Sequence, residues 1–293
     1  KSKDSKKCFM CAIISRLMQY YDTIGVIGYL GMVGGTVFRY FKDQGYKVFG
    51  YDIRKPKYKQ QAVTSDLIFV CVPTPYHWDG KGYDGTIVDS TLKIIPSGRV
   101  VVIKSTMTVG STDGLQKKYP KLKILFNPEF LSEATCDMDF RNPDRQFVGY
   151  TDKSLKEATR VLNTLPLSPY DVIMPAKEAE LLKYINNLHG ILEVLESNHY
   201  WEVCQKENLD YERVIKAAMA SKWVGPAMGR HYRVIWHKGY RGVGGKCFPK
   251  DLSAWVDYCK NINIPVEIFE AVRLMNQRIL KEQHLNEPEA EKK

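Results

Sequence analysis

Thr23-Ile24-Gly25-Val26-Ile27-Gly28-Tyr29-Leu30-Gly31-Met32-Val33-Gly34-Gly35 opens on a short apolar run, turns through glycines and leads into a helical pattern from Val37 to Gln44. A second apolar run, Lys47 to Tyr51, follows, and Asp52 comes directly after it. Strand, glycine turn, helix, strand, acid is the order of a dinucleotide-binding unit. Gly28, Gly31 and Gly34 permit a tight turn and let a pyrophosphate approach the backbone. The helix N-terminus offers partial positive charge, and the acid accepts hydrogen bonds from ribose hydroxyls. The turn carries one residue more before its second glycine than the usual Gly-x-Gly-x-x-Gly. Asp52 favours NAD over NADP, whose additional phosphate it repels; Arg54, Lys55 and Lys57 offset part of that preference.

Outward from this unit, Leu67 to Val72, Arg99 to Ile103 and Ile124 to Phe126 read as buried strands. Each runs into a polar loop. The first gives Pro73-Thr74-Pro75 and then Asp79-Gly80-Lys81-Gly82-Tyr83-Asp84; the second gives Lys104-Ser105-Thr106; the third gives Asn127-Pro128-Glu129-Phe130-Leu131-Ser132-Glu133. Loops at strand C-termini are where open α/β sheets bind ligands. Taken singly, Thr106 reads equally as a helix cap and Glu133 as a solvated acid. Pro143 to Gly149 begins the last strand of the domain, and the alternation of strands and helices stops near Met174-Pro175-Ala176.

From Lys177 to about Asn208 the pattern is one long helix, with Lys183 and Asn187 four apart on one face. Further helices are expected at Tyr211 to Ala220, Asp251 to Asn261 and Pro265 to about Gln283, with a charged, frayed tail from Asn286 to Lys293. The expected fold is therefore α/β: a Rossmann-type doubly wound parallel sheet over residues 23–175, then an all-helical central domain over 176–293 with a long connecting helix. Residues 1–22 form an N-terminal extension, with a short helix at Ala12 to Tyr21 as one reading. The apolar stripe of the long helix calls for a partner surface, so a homodimer is expected.

With 293 residues and 44% apolar content the chain buries a sizeable core. Its net charge of +10 is spread along the sequence rather than gathered into an aromatic-interleaved stripe, which suits anionic small molecules better than nucleic acid. No run of eighteen apolar residues exists, so neither a membrane span nor a membrane partner is expected, and a cytoplasmic protein is. Seven scattered cysteines fit reduced thiols. The close pair Cys8 and Cys11 lacks companion ligands, and no metal is expected.

One cysteine stands apart. Arg241-Gly242-Val243-Gly244-Gly245-Lys246-Cys247-Phe248-Pro249-Lys250-Asp251 sets a thiol among glycines, two lysines and a carboxylate. Neighbouring cations favour the thiolate, the form that attacks a carbonyl carbon. A buried structural cysteine after a glycine turn is the alternative, and the polar flanks weigh against it.

Gly-Gly-Lys-Cys-Phe-Pro-Lys-Asp resembles the nucleophile loop of the UDP-glucose/GDP-mannose dehydrogenase family. Cys71-Val72-Pro73-Thr74-Pro75, Lys104-Ser105-Thr106, Asn127 to Glu133 and Ala179-Glu180-Leu181-Leu182-Lys183 resemble that family's other motifs, in its order. The resemblance implies an NAD-dependent oxidation of a nucleotide-sugar C6 alcohol to the acid in two hydride transfers, with UDP-glucose as the leading substrate. GDP-mannose or an N-acetylated UDP-sugar, and a catalytically silent NAD-binding module, are the rivals. It implies that Cys247 is the covalent nucleophile, that Lys183, Asn187 and Asp251 surround C6, and that Thr106 and Glu133 position or activate water. Asp52, Val33, Lys57, Thr74 and Lys250 would touch the cofactor, with Thr106 and Glu133 beside its nicotinamide. Glu129, Phe130, Leu131, Glu133, Trp236, Lys238, Tyr240 and Gly244 would line the sugar nucleotide. Full-length members carry a further C-terminal nucleotide-binding domain, whereas this sequence stops after the central helices. Ser221-Lys222-Trp223-Val224-Gly225 stands where the family has Arg-Ile-Gly.

Overall fold

The structure, a computed structural model, describes residues 20–221, 224 and 230–292. The Ala12–Tyr21 helix reading and the Cys8–Cys11 pair therefore lie, apart from Tyr20 and Tyr21, outside the described residues, as do Lys222, Trp223 and Gly225. The chain divides into two compact units that interleave in sequence. The first extends to Thr74 and resumes over Gly85–Lys183; the second takes Pro75–Asp84 and everything from Tyr184 on.

In the first unit, β1 (Thr23–Ile27), α1 (Met32–Asp43) and β2 (Lys47–Tyr51) are followed by α2 (Lys59–Val63) and β3 (Leu67–Val70). The second unit's hairpin, β4 (Tyr76–His77) with β5 (Gly82–Tyr83), interrupts here. The first unit continues through α3 (Thr86–Lys93), β6 (Val100–Ile103), α4 (Ser111–Lys118), β7 (Lys123–Phe126), α5 (Cys136–Arg141), β8 (Gln146–Tyr150), α6 (Leu155–Leu162) and β9 (Asp171–Pro175). Seven of these strands form one sheet in the order β2-β1-β3-β6-β7-β8-β9. All neighbours are parallel except β7 and β8, which pair antiparallel. The Val/Ile/Leu-rich strands β3 and β6 are buried along their whole length, as a sheet covered on both faces requires. Strand order reverses at β1, so its junction with β3 is the switch point where such sheets bind ligands. β9, which the sequence reading passes over, adds an edge strand just before the long helix.

That helix, α7 (Ala176–Lys206), crosses from the first unit into the second. The second unit adds α8 (Tyr211–Met219), α9 (Phe248–Asn261), α10 (Glu267–Lys281) and α11 (Glu287–Lys292). The hairpin packs on α9, where the Tyr76 hydroxyl donates to Asp257 at 2.6 Å. The expected frayed tail is instead α11. Its Ala290 is fully buried with Tyr240 and Leu280, and its carbonyl accepts the Gly245 N–H at 2.8 Å. Glu287, also buried, accepts from Gln277 Nε2 at 3.0 Å, so the helix is held by a polar contact as well as an apolar one. Among the described residues no helix is long and apolar enough to cross a membrane.

Candidate active site

At the end of β1, Gly28 adopts φ +84°, and a Cβ there would lie 2.3 Å from the Cys71 carbonyl oxygen just past β3. A Cβ at Gly34, in the first turns of α1, would meet the Gly28 carbonyl oxygen at 2.3 Å. Only glycines allow this closeness between turn, helix and switch point. Gly31 is the N-cap and supplies no side-chain cap, and with Met32 it is exposed, so no N-cap side chain takes up the first N–H groups of α1. The additional residue of the turn is accommodated by Tyr29, whose ring lies over Gly50 of β2.

Asp52, at the C-terminal end of β2, is 8% exposed and already heavily bonded. Arg54 Nε donates to its Oδ1 at 2.9 Å, Arg54 Nη2 to Oδ2 at 3.2 Å, and the Arg54 backbone N–H to Oδ1 at 3.0 Å. The Arg54 hydrogen bonds, opposed in part by burial, hold the Asp52 carboxyl below its usual range. Lys57 sits exposed in a short 3-10 turn, its ammonium 5.1 Å from the Tyr58 ring centroid.

Past β7, Glu129, Phe130 and Leu131 gather around Lys183. The Lys183 ammonium donates to Glu129 Oε1 at 2.8 Å and to the Glu129 carbonyl at 2.6 Å, and it lies 5.6 Å from the Phe130 ring centroid. The Leu131 N–H donates to the other Glu129 oxygen at 2.9 Å. Burial pushes the Glu129 carboxyl up, but Lys183 and these hydrogen bonds outweigh it and the net shift is downward. Thr74 (buried), Thr106 (half-buried) and Glu133 (exposed) follow β3, β6 and β7 respectively.

Lys104 belongs to the same cluster, although the sequence reading assigned it no role. It is 4% exposed and donates to Asn127 Oδ1 at 2.6 Å. Burial pushes it down to about 8, partly countered by Cys71 and Glu129. The signal available was a lysine ending the apolar run Val100-Val101-Val102-Ile103, a pattern that also describes an ordinary strand leaving the core.

In the second unit, Cys247 is the N-cap of α9, and the Asp251 N–H donates to its carbonyl at 2.9 Å. A helix start favours negative charge beside it. Asp251, one turn on and 1% exposed, accepts from Asn187 Nδ2 at 2.6 Å and from Lys250 Nζ at 2.5 Å. The ammonium of Lys250 is thus engaged by its neighbour's carboxylate. Tyr240 is 2% exposed, and its hydroxyl stands 1.9 Å from where a Gly244 Cβ would be, so it buttresses the glycine loop from beneath. Trp236 is exposed and meets Trp201 edge-on, while Lys238 turns at φ +54° between His237 and Tyr240. Among the described residues no group of three or more His, Cys, Asp or Glu is arranged to hold a metal ion.

The model of the NAD-binding domain of the UDP-glucose/GDP-mannose dehydrogenase family matches residues 54–165, and that of the family's central domain matches residues 177–278. The chain belongs to this family. Among its relatives, UDP-glucose 6-dehydrogenase YwqF of Bacillus subtilis is 29% identical over 246 residues, covering 78% of this chain and 53% of the relative. A UDP-glucose 6-dehydrogenase of Pseudomonas aeruginosa is 27% identical, covering 73% and 49%. The chain therefore spans about half the length of the curated relatives it matches. A UDP-glucose dehydrogenase structure from Pyrobaculum islandicum aligns with TM-score 0.74 at 26% identity, covering 91% of this chain and 72% of that one. The family's NAD fits the first unit: the tight Gly28–Gly34 turn lies at the switch point, the N-cap of α1 brings no capping side chain, and Asp52 follows β2.

Proposed function

We propose that this chain acts in the NAD-dependent four-electron oxidation of a nucleotide-sugar C6 alcohol to the carboxylate, with UDP-glucose as substrate. The observation that carries the reading is Cys247 at the start of α9, one turn before a buried Asp251 held by Asn187 and Lys250. NAD, held by the Gly28–Gly34 turn and Asp52, supplies the hydride acceptor for each of the two oxidations. In the first oxidation a base takes the C6 hydroxyl proton, directly or through water. The Cys247 thiolate then adds to the C6 aldehyde, and the new C–S bond keeps that aldehyde from escaping. Lys183 and Asn187 donate to the oxygen while it is anionic, each such donor being worth about 3 to 4 kcal/mol. Loss of the second hydride and of the hydroxyl proton leaves a thioester. Water activated through Glu133 and positioned by Thr106 breaks the C–S bond, releasing acid and thiol. Phe130, Leu131, Trp236, Lys238 and Gly244 flank the sugar nucleotide in this reading.

The test is NADH production across UDP-glucose, GDP-mannose and N-acetylated UDP-sugars, with Cys247→Ser alongside. Two NADH per UDP-glucose, abolished or stalled by the substitution, are expected. NADH binding without turnover of any sugar nucleotide would reject the reading. A homodimer is part of the same proposal, supported by the exposed apolar residues Leu181, Ile185, Tyr200 and Val203 on α7.

A further inference from the structure

Asp52 directly follows β2, the position where a dinucleotide-binding unit meets the adenosine ribose, and an acid left to itself there rejects a 2′-phosphate by like charge. This acid is not left to itself. The segment Asp52-Ile53-Arg54-Lys55 closes a tight turn, with the Lys55 N–H donating to the Asp52 carbonyl at 2.9 Å. The turn brings the Arg54 guanidinium edge-on to both carboxylate oxygens. The pair uses Nε and Nη2; among the described residues Nη1 has no protein partner, and the Arg54 side chain is 64% exposed against 9% for Asp52. The carboxylate is thus covered and neutralised, while a planar cation with a spare N–H pair faces solvent beside it. Guanidinium groups of this kind bind phosphate through paired, charge-assisted hydrogen bonds. Lys55, Lys57 and Lys59 follow at once, so the local charge beyond the turn is strongly positive.

We propose that Arg54 forms a 2′-phosphate subsite over Asp52, so that this chain accepts NADP as well as NAD. The proposal rests on the dinucleotide reading of the glycine turn. On NAD binding the ribose hydroxyls share the Asp52 oxygens with Arg54; on NADP binding the guanidinium turns its free edge to the phosphate while still screening the acid.

The test is equilibrium titration of the full chain with NADH and with NADPH, followed by coenzyme fluorescence, with adenosine 2′,5′-bisphosphate and ADP as competitors. No sugar nucleotide is present, so the result is independent of turnover. NADPH is expected to bind within about tenfold of NADH. Arg54→Ala is expected to weaken NADPH and the 2′,5′-bisphosphate by about tenfold or more while changing NADH by less than about threefold. Asp52→Asn is expected to strengthen NADPH relative to NADH. An NADH preference in the intact chain beyond about tenfold, or equal loss of both coenzymes in Arg54→Ala, overturns the proposal. Binding of neither coenzyme overturns it together with the dinucleotide reading. Binding of both without sugar oxidation supports it while rejecting the proposed reaction.

Discussion

At Gly28 a methyl group has nowhere to go, because the backbone is left-handed and the Cys71 carbonyl already occupies the space. Gly45 shares the positive φ, at +80°, but nothing lies within 4 Å of its Cβ position. The two positions therefore separate strain from contact. Gly45→Ala is expected to cost about 1 to 2 kcal/mol of unfolding free energy, the ordinary cost of left-handed backbone with a side chain. Gly28→Ala is expected to cost at least about 2 kcal/mol more and to abolish NADH binding, since β1 and the loop after β3 must move apart. Urea denaturation and NADH titration of both variants check this; equal losses would contradict it. That Gly28 and Gly34 sit in a tight strand-to-helix turn was legible, because so few residues fit such a turn. Lys104 and the Arg54 clasp on Asp52 were not, since a sequence gives the charges near a strand end but not which of them meet.

At the scale of elements, α4 begins at Gly110, which has φ +91° and no capping side chain of its own. Glu180, on α7, supplies the cap from a distance. It accepts from the Gly110 N–H at 2.6 Å, the Thr112 N–H at 2.8 Å and the Thr112 hydroxyl at 2.6 Å. Burial pushes its carboxyl up to about 7 against the lowering effect of these three donors. A carboxyl raised on folding gives a stability contribution fully present below its unfolded value, near 4.5, and lost as pH rises through about 7. Between pH 4 and pH 8 the intact chain is expected to lose roughly 3 kcal/mol from this source, and Glu180→Gln is expected to lack that component. Denaturation at both pH values, compared between the two proteins, reads it as a double difference; identical pH profiles would refute it. The long helix itself was legible to within two residues at each end, because its pattern persists for many turns. β9 and α11 were not: Asp171–Pro175 ends in a proline, and α11 is a charged stretch held by Ala290 and by Glu287's bond to Gln277, so neither has a pattern apart from its packing.

For the whole molecule, α7 presents Leu181 and Ile185 one turn apart and Tyr200 and Val203 further along, each more than a third exposed. Covering them is the physical case for a second copy. Light scattering at micromolar concentration is expected to give twice the 33.7 kDa chain mass, and a doubly substituted Ile185→Glu, Val203→Glu chain is expected to run as monomer. A monomer for the intact chain would count against the pairing. That the molecule has a sheet-bearing and a helical unit was readable from where strand and helix patterns stop alternating. That residues 75–84 pack with the helical unit was not, because a short polar loop after a strand looks alike whichever body it joins.

The hairpin has a consequence during synthesis. Tyr76 leaves the ribosome 181 residues ahead of Asp257, its partner. At roughly 5 to 20 residues per second, ten residues of the nascent chain wait about 10 to 40 s for the helix on which they rest.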